Sequence, residues 1–339
     1  VAGALWAFQA VMQAAGALPE GYWKQTAFLQ RLWAMGAAGA APILLGNLAA
    51  AALYTGLFLL PLLVVTAAGW ARGRGQRWIA AATAAAAALI VWSSGKRMPL
   101  RGNVLIESGL GPVTLNDWYI RGLANDPRLP PSFWWAVTAL GVVGVALLTA
   151  QLAGGLGRAW RGRGDAAAPA EAARTLLLAT SALYLAVATA AVQFDRYFLP
   201  LVPLLGLALL PPADGRRAGP GSRAAGAVLL ALYAAYAVAG THDYLAWNRA
   251  RWQALEELAD AGVTPQRIDG GFEFNAPLFY RDGARDSGGR GHSWWFVVDD
   301  EYLIAMGPVP GYAIERRIPY RRWLPPVPAE IAVLRRTGG

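Results

Sequence analysis

Charged side chains are scarce in the first two thirds of this chain, and they stand at the ends of apolar runs. The clearest case is Phe194-Asp195-Arg196-Tyr197-Phe198-Leu199-Pro200-Leu201-Val202-Pro203, because residues 175–194 carry no charge before the Asp-Arg pair and 197–213 carry none after it. A charge in hydrocarbon costs several kcal/mol, so the pair belongs at a bilayer surface or in a polar cavity. Lys96, Arg97 and Arg101 follow another apolar run. Cations so placed can do one of two things. They can hold phosphate, arginine through a planar fork and lysine through a point charge, or they can anchor the chain among anionic headgroups by snorkelling. Tyr197 stands beside Arg196 as a supporting residue, and Asp195 reads as the local partner of that arginine rather than as a base. Glu107, Asp117 and Asp126 read as solvated loop charges.

Other chemistry is poorly supplied. There is no cysteine, and therefore neither disulfide nor thiolate. His242 and His292 lie far apart and propose no metal cluster. Gly154-Gly155-Leu156-Gly157 and Gly219-Pro220-Gly221 lack the preceding strand that a nucleotide loop requires. Trp247, Trp252 and Trp294-Trp295 could stack on sugar rings, but equally they could pack in a core or against a membrane.

The elements that must position these residues follow from composition. The chain has 339 residues, of which 56% are hydrophobic and 15% charged, with mean hydropathy +0.34. Those values are unlike a soluble domain. Runs long enough to cross a core of about 30 Å recur. They predict about seven spans, near 1–18, 43–69, 78–93, 132–153, 174–194, 197–212 and 223–241. Val1 opens inside an apolar run, so the chain reads as a piece whose N-terminus lies upstream. The loops 70–77, 154–173 and 213–222 hold Arg72, Arg74, Arg77, Arg158, Arg161, Arg163, Arg216 and Arg217. Alternation of seven spans puts all three loops on one side, which is then cytoplasmic. Segments 19–42 and 94–131, the Asp195-Arg196 turn and everything after Thr241 then face outward. Residues 19–42 read as an interfacial amphipathic segment, with Trp23, Phe28, Leu32 and Trp33 toward lipid. Trp118-Tyr119 and Trp134-Trp135 suit a membrane–water boundary.

Net charge is +9, which raises nucleic acid as a partner, and its distribution removes it. Residues 1–241 hold 18 basic and 8 acidic side chains; residues 242–339 hold 12 and 13. The excess lies in the short loops between spans, the pattern of a membrane protein rather than of a phosphate-tracking groove.

From Asp243 the period changes. Leu245, Trp252, Leu255 and Leu258 recur at helical spacing over 244–261, and Gly262 should stop that helix. Arg267-Ile268-Asp269 predicts a short strand and Gly270-Gly271 a turn. Strands follow at 294–306, 312–318 and 331–334, with a Gly-rich mobile loop at 281–291. The expected architecture is a helical membrane region over 1–241 and a small outer-face α/β domain over 242–339.

Two segments carry a resemblance. Asp195-Arg196-Tyr197-Phe198-Leu199-Pro200-Leu201-Val202-Pro203-Leu204 resembles the "RYLLPLLPL" segment late in bacterial GT-C glycosyltransferases of glycosyltransferase family 39, the group that includes protein mannosyltransferases and lipid A aminoarabinose transferases. Asp269-Gly270-Gly271-Phe272-Glu273-Phe274-Asn275 is similar to an "IDGGFEWNG" segment in their outer C-terminal domain. A weaker match, Phe28-Leu29-Gln30-Arg31-Leu32, resembles an "HFQRF" segment but lacks its histidine. It implies that Arg31 touches a lipid phosphate, alongside Lys96, Arg97 and Arg196.

The resemblance implies a C-terminal part of a bacterial inner-membrane enzyme. Such an enzyme moves a sugar from a polyprenyl phosphate to a glycan, lipid or protein acceptor, inverting the anomeric carbon. The family's acidic catalytic residue, and any divalent cation, would belong to an upstream outer loop, so no catalytic residue is assigned here. Two other classes stay open: a transporter or flippase of lipid-linked sugars, and a non-enzymatic envelope assembly protein.

Overall fold

The computed structural model describes residues 27–70, 73–102, 129–161, 168–190, 194–210, 218–279 and 296–338, with Leu123 and a few residues between 7 and 15. Outside the described residues lie most of the expected first span and of loop 94–131 with Glu107, Asp117, Asp126 and Trp118-Tyr119. The expected mobile loop 281–291, His292 and Trp294-Trp295 lie there too.

The chain is mostly helical, with one small sheet near its C-terminus. In order, the helices are α1 (Ala27–Trp70), α2 (Arg74–Ser94), α3 (Pro131–Arg161), α4 (Ala168–Ala190), a 3₁₀ turn (Asp195–Phe198), α5 (Leu201–Leu209) and α6 (Pro220–Asp260). Then come β1 (Ile268–Asp269), α7 (Phe272–Phe279), β2 (Tyr302–Ala305), β3 (Tyr312–Tyr320) and β4 (Ala329–Arg336). Among the described residues, five helical segments are long and apolar enough to cross a membrane: Leu32–Ala67, Arg74–Ser94, Pro131–Gly155, Pro169–Ala190 and Pro220–Asp260. Large apolar side chains such as Leu176, Leu183, Val187, Val228, Leu230 and Leu232 stand exposed on them, as lipid-facing positions would.

Three expected boundaries are corrected. The run 197–212 is not one regular α-helix: it divides into the 3₁₀ turn and the nine-residue α5, joined through Leu199 and Pro200, both in helical conformation. α5 alone rises about 14 Å, half the roughly 30 Å core, and the helical turn before it adds to that length. Pro200 caps α5 and Pro203 sits in its first turn, the places where a missing N–H costs nothing. The segment 19–42 does not stay separate from the span after it, because α1 runs from Ala27, broken only at Gly36, whose φ of 65° leaves the helix. Finally, the apolar run 223–241 and the amphipathic helix 244–261 are one helix, α6, since no breaker intervenes.

The chain divides into two compact units. The first comprises Val1–Leu59, Gly69–Ala88 and Val142–Arg216. Its core is a backbone-to-backbone crossing of α1 and α3 at Gly56 and Gly144. A Cβ on Gly56 would lie 2.4 Å from Val145 N, and one on Gly144 would lie 2.3 Å from the Gly56 carbonyl oxygen. Small residues let helices approach this closely, and buried polar groups then bridge them. Asn47 Nδ2 donates to Thr189 O at 2.9 Å, and the Thr149 and Thr83 hydroxyls meet at 3.1 Å. Arg174 on α4 donates to Ala208 O and Leu210 O, both at 2.9 Å, satisfying the carbonyls at the end of α5.

The second unit comprises Leu60–Ala68, Leu89–Gly141 and Arg217–Gly339. Its sheet has the order β1-β2-β4-β3, with β1 parallel to β2 and the other pairs antiparallel. The second half of α6 lies on one face, where Trp247, Ala250, Ala254, Leu255 and Leu258 pack on Ile268, Ile304, Ile331 and Val333. Each such Leu or Ile contributes about 1.5–3 kcal/mol by burial, far more than helix propensity, so packing is what stabilises this half of α6. Leu303, Ala305, Ala332 and Leu334 form the other face, with Leu123 against them. Gly262, at φ 79°, ends α6 as expected, its N–H bonding Ala259 O at 2.9 Å while Val263 N bonds Leu258 O at 3.0 Å. The strand expected at 294–306 is shorter: β2 starts at Tyr302, and the turn before it holds Phe296 at φ 54°.

Candidate functional site

The Asp195–Phe198 turn is held on three sides within its unit. Phe198 is fully buried and stacks on Tyr54 of α1, centroids 5.7 Å apart. Tyr184 of α4 donates its hydroxyl to Tyr197 O at 2.6 Å. Asp195 is fully buried as well. Arg196, between two fixed neighbours, is exposed. Its guanidinium carbon lies 5.0 Å from the Phe194 ring centroid and 5.6 Å from that of Tyr197. Cation–π contact at an exposed site is worth about 0.5–1 kcal/mol, enough to bias the side chain toward one direction while its N–H donors stay available. The two neighbours have different surroundings. Asp195 is buried, and the Arg196 guanidinium lies over aromatic rings.

Lys96 and Arg97 occupy a second fixed turn. Gly95, at φ 61°, ends α2 and bonds Trp92 O. Lys96 N bonds Ser94 Oγ at 3.2 Å, and Met98 N bonds Thr138 Oγ1 at 2.8 Å, with Met98 buried. Both cations are exposed between these anchors. Arg101 is half-buried and donates to Leu100 O at 3.1 Å. Lys96 and Arg97 belong to one compact unit and Arg196 to the other. Arg31 lies in the helical backbone near the start of α1; its side chain is outside the described residues.

The Asp269–Asn275 segment has a structural logic of its own. Asn275 is fully buried; it donates to Ile268 O at 2.7 Å and accepts from Gly270 N at 2.9 Å, bracing the turn from both ends. A side chain at Gly270 would run into Phe274 and Leu255, 2.6 and 2.7 Å from its Cβ. Arg251 of α6 is 3% exposed and donates to Gly270 O at 3.2 Å, Asn248 Oδ1 at 3.1 Å and Glu273 Oε2 at 2.6 Å. Trp247 is buried with the Arg251 guanidinium 4.8 Å from its ring, so it packs in the core rather than presenting a sugar platform. Trp252 is partly exposed, edge-on to Phe274.

Sequence reasoning missed two arrangements. One is the Arg251–Glu273 pair, whose members lie 22 positions apart on elements that only folding joins. The other is at Asp243, 5% exposed, whose Oδ1 and Oδ2 accept from the backbone N–H groups of Trp323 and Leu324, both at 2.7 Å. The adjacent His242 ring stacks on Trp323 at 3.9 Å. The only sequence signal there was an aspartate at the end of an apolar run. Among the described residues, no three His, Cys, Asp or Glu side chains gather as metal ligands would. No family model, no curated protein and no solved structure matches this chain.

Proposed function

We propose that this chain is the C-terminal part of a membrane glycosyltransferase that uses a polyprenyl-phosphate sugar, with Arg196 binding the lipid phosphate. The observation that carries the reading is the Arg196 turn: an exposed guanidinium, biased by two rings, on a backbone pinned by buried Asp195 and Phe198 and by the Tyr184 hydroxyl on Tyr197 O. A snorkelling anchor has no need of a fixed backbone. A cation that must meet a departing phosphate does, because preorganisation removes the cost of arranging the donor during reaction. Lys96 and Arg97, also exposed on a pinned turn, and Arg31 near the start of α1 are proposed as further cations for lipid phosphate. Seven spans, an outward-facing Arg196 turn and C-terminal domain, and the bacterial inner membrane belong to the same proposal. The catalytic carboxylate is assigned upstream. The test is Arg196→Ala and Arg196→Lys in the longer protein, with transfer from a polyprenyl-phosphate sugar to acceptor as readout. Turnover near wild type in the alanine variant overturns the assignment.

A transporter of lipid-linked sugars is the second reading. The break at Gly36 and the nine-residue α5 favour it, because transporters build substrate sites from interrupted helices. Movement of a lipid-linked sugar across vesicles without sugar transfer would select that reading.

A further inference from the structure

We propose that the β3–β4 loop, residues 321–328, is a membrane-contact element, clamped to α6 at the point where that helix leaves the bilayer. The proposal rests on α6 being a span. Between Arg223 and His242 the helix carries no charge. Residues 224–241 therefore rise roughly 27 Å, about the thickness of the hydrocarbon core. His242 and Asp243 are then at headgroup depth, and α6 continues unbroken beyond them into the sheet domain.

The loop is tied at that level. Both oxygens of the Asp243 carboxylate hold loop backbone, at Trp323 N and Leu324 N. The Trp323 indole stacks on His242, one residue nearer the apolar run than Asp243. Side chains on a helix lean toward its N-terminus, which here is toward the bilayer. Trp323 is 51% exposed and Val327 42%, so the loop shows apolar surface at the depth where lipid can cover it. Arg321 is exposed, with no acidic partner among the described residues, while Arg316 and Arg317 on β3 pair with Glu257 and Glu330. An indole, an aliphatic tip and an exposed guanidinium together match the boundary between acyl chains and phosphate headgroups. The occupant of this surface is thus phospholipid. With the loop tied to α6, lipid contact would fix the tilt of the sheet domain on the membrane.

The chain has no cysteine, so single cysteines can be placed at will. Val327→Cys, Leu232→Cys and Asp260→Cys would each carry a nitroxide in vesicles of phosphatidylcholine and phosphatidylglycerol. Collision with oxygen, which enters lipid, would be compared with collision with a water-soluble nickel chelate. Leu232, exposed in the apolar half of α6, should read as deep. Asp260, roughly 25 Å beyond Asp243 along the helix, should read as aqueous. Val327 should give an oxygen-to-nickel ratio several-fold above Asp260 and below Leu232. An aqueous Leu232 overturns the span itself. A deep Leu232 with Val327 as aqueous as Asp260 overturns the loop alone, and leaves protein contact as the use of this surface. Adding Trp323→Ala, a substitution at a half-exposed site that the fold tolerates, should move the Val327 label toward water. Asp243→Ala should do so further and sharpen its spectrum. A Val327 ratio unchanged in both variants overturns the clamp.

Discussion

Arg196 and Asn275 are the two residues on which the structure bears hardest. Losing one preorganised donor in a water-poor site costs about a hundredfold or more in rate. An exposed anchor contributes only about 0–1 kcal/mol. Arg196→Ala should therefore cut sugar transfer roughly a hundredfold with melting temperature unchanged, because the side chain is exposed and Phe198 and Asp195 do the packing. Arg196→Lys should keep part of the activity, since a point charge remains where the fork is lost. Asn275 predicts the opposite pattern. Its replacement by alanine leaves Ile268 O and Gly270 N buried without their partner, at about 1–3 kcal/mol for each unsatisfied group. Chemical denaturation of the purified protein should show a destabilisation of that order, with β1 and α7 losing hydrogen-exchange protection first.

At the scale of elements, the α1–α3 crossing tolerates least. The atoms that meet at Gly56 and Gly144 are backbone, so no rotamer change can relieve an added side chain. Gly144→Val should cost at least the upper part of the usual 1–3 kcal/mol range for overpacking, and should lower the yield of monodisperse protein in detergent. The sheet edge offers a pH test. Arg267 donates to both oxygens of Glu301, at 2.6 and 2.5 Å, and these bonds hold the Glu301 carboxyl below its ordinary value of 4.5. A depressed folded-state value means the pair stabilises fully above the ordinary value and loses that contribution as pH falls through the depressed one. Glu301→Gln should lower the unfolding midpoint near pH 7, and the deficit relative to wild type should close as pH falls below the ordinary carboxyl value. A deficit independent of pH would show that the carboxylate charge plays no part.

For the whole molecule, the expected orientation rests on arginine placement alone. With the Arg-rich loops cytoplasmic, a cysteine at Thr337 should label with an impermeant reagent from outside intact cells. One at Ser222, at the start of α6, should label only after the inner face is opened. Labelling in the reverse order would invert the topology and put the Arg196 turn on the cytoplasmic side, where an outer-face transfer reaction has no place for it.

Composition and periodicity alone determined most of the helices, the change of character near Asp243, the stop at Gly262 and the four described strands, one of them drawn too long. These are local properties: hydropathy over a span, one-face spacing, the conformational freedom of a single glycine. Tertiary structure decided what depends on distant partners. Residues 197–212 read as one uninterrupted helix by hydropathy, yet α5 is short and ends where Arg174, some 34 positions back, donates to its carbonyls. Asp195 and Arg196 read as a pair because they are adjacent. Only the folded chain gave them their surroundings, a buried site for the carboxylate and two aromatic rings for the guanidinium. Asp243 looked like the first charge after a membrane run, and only the return of the chain 80 positions later gave its carboxylate two backbone N–H groups to hold. A sequence states where charge is costly; folding decides which groups meet that charge, because the partners come from elements that the linear order keeps far apart.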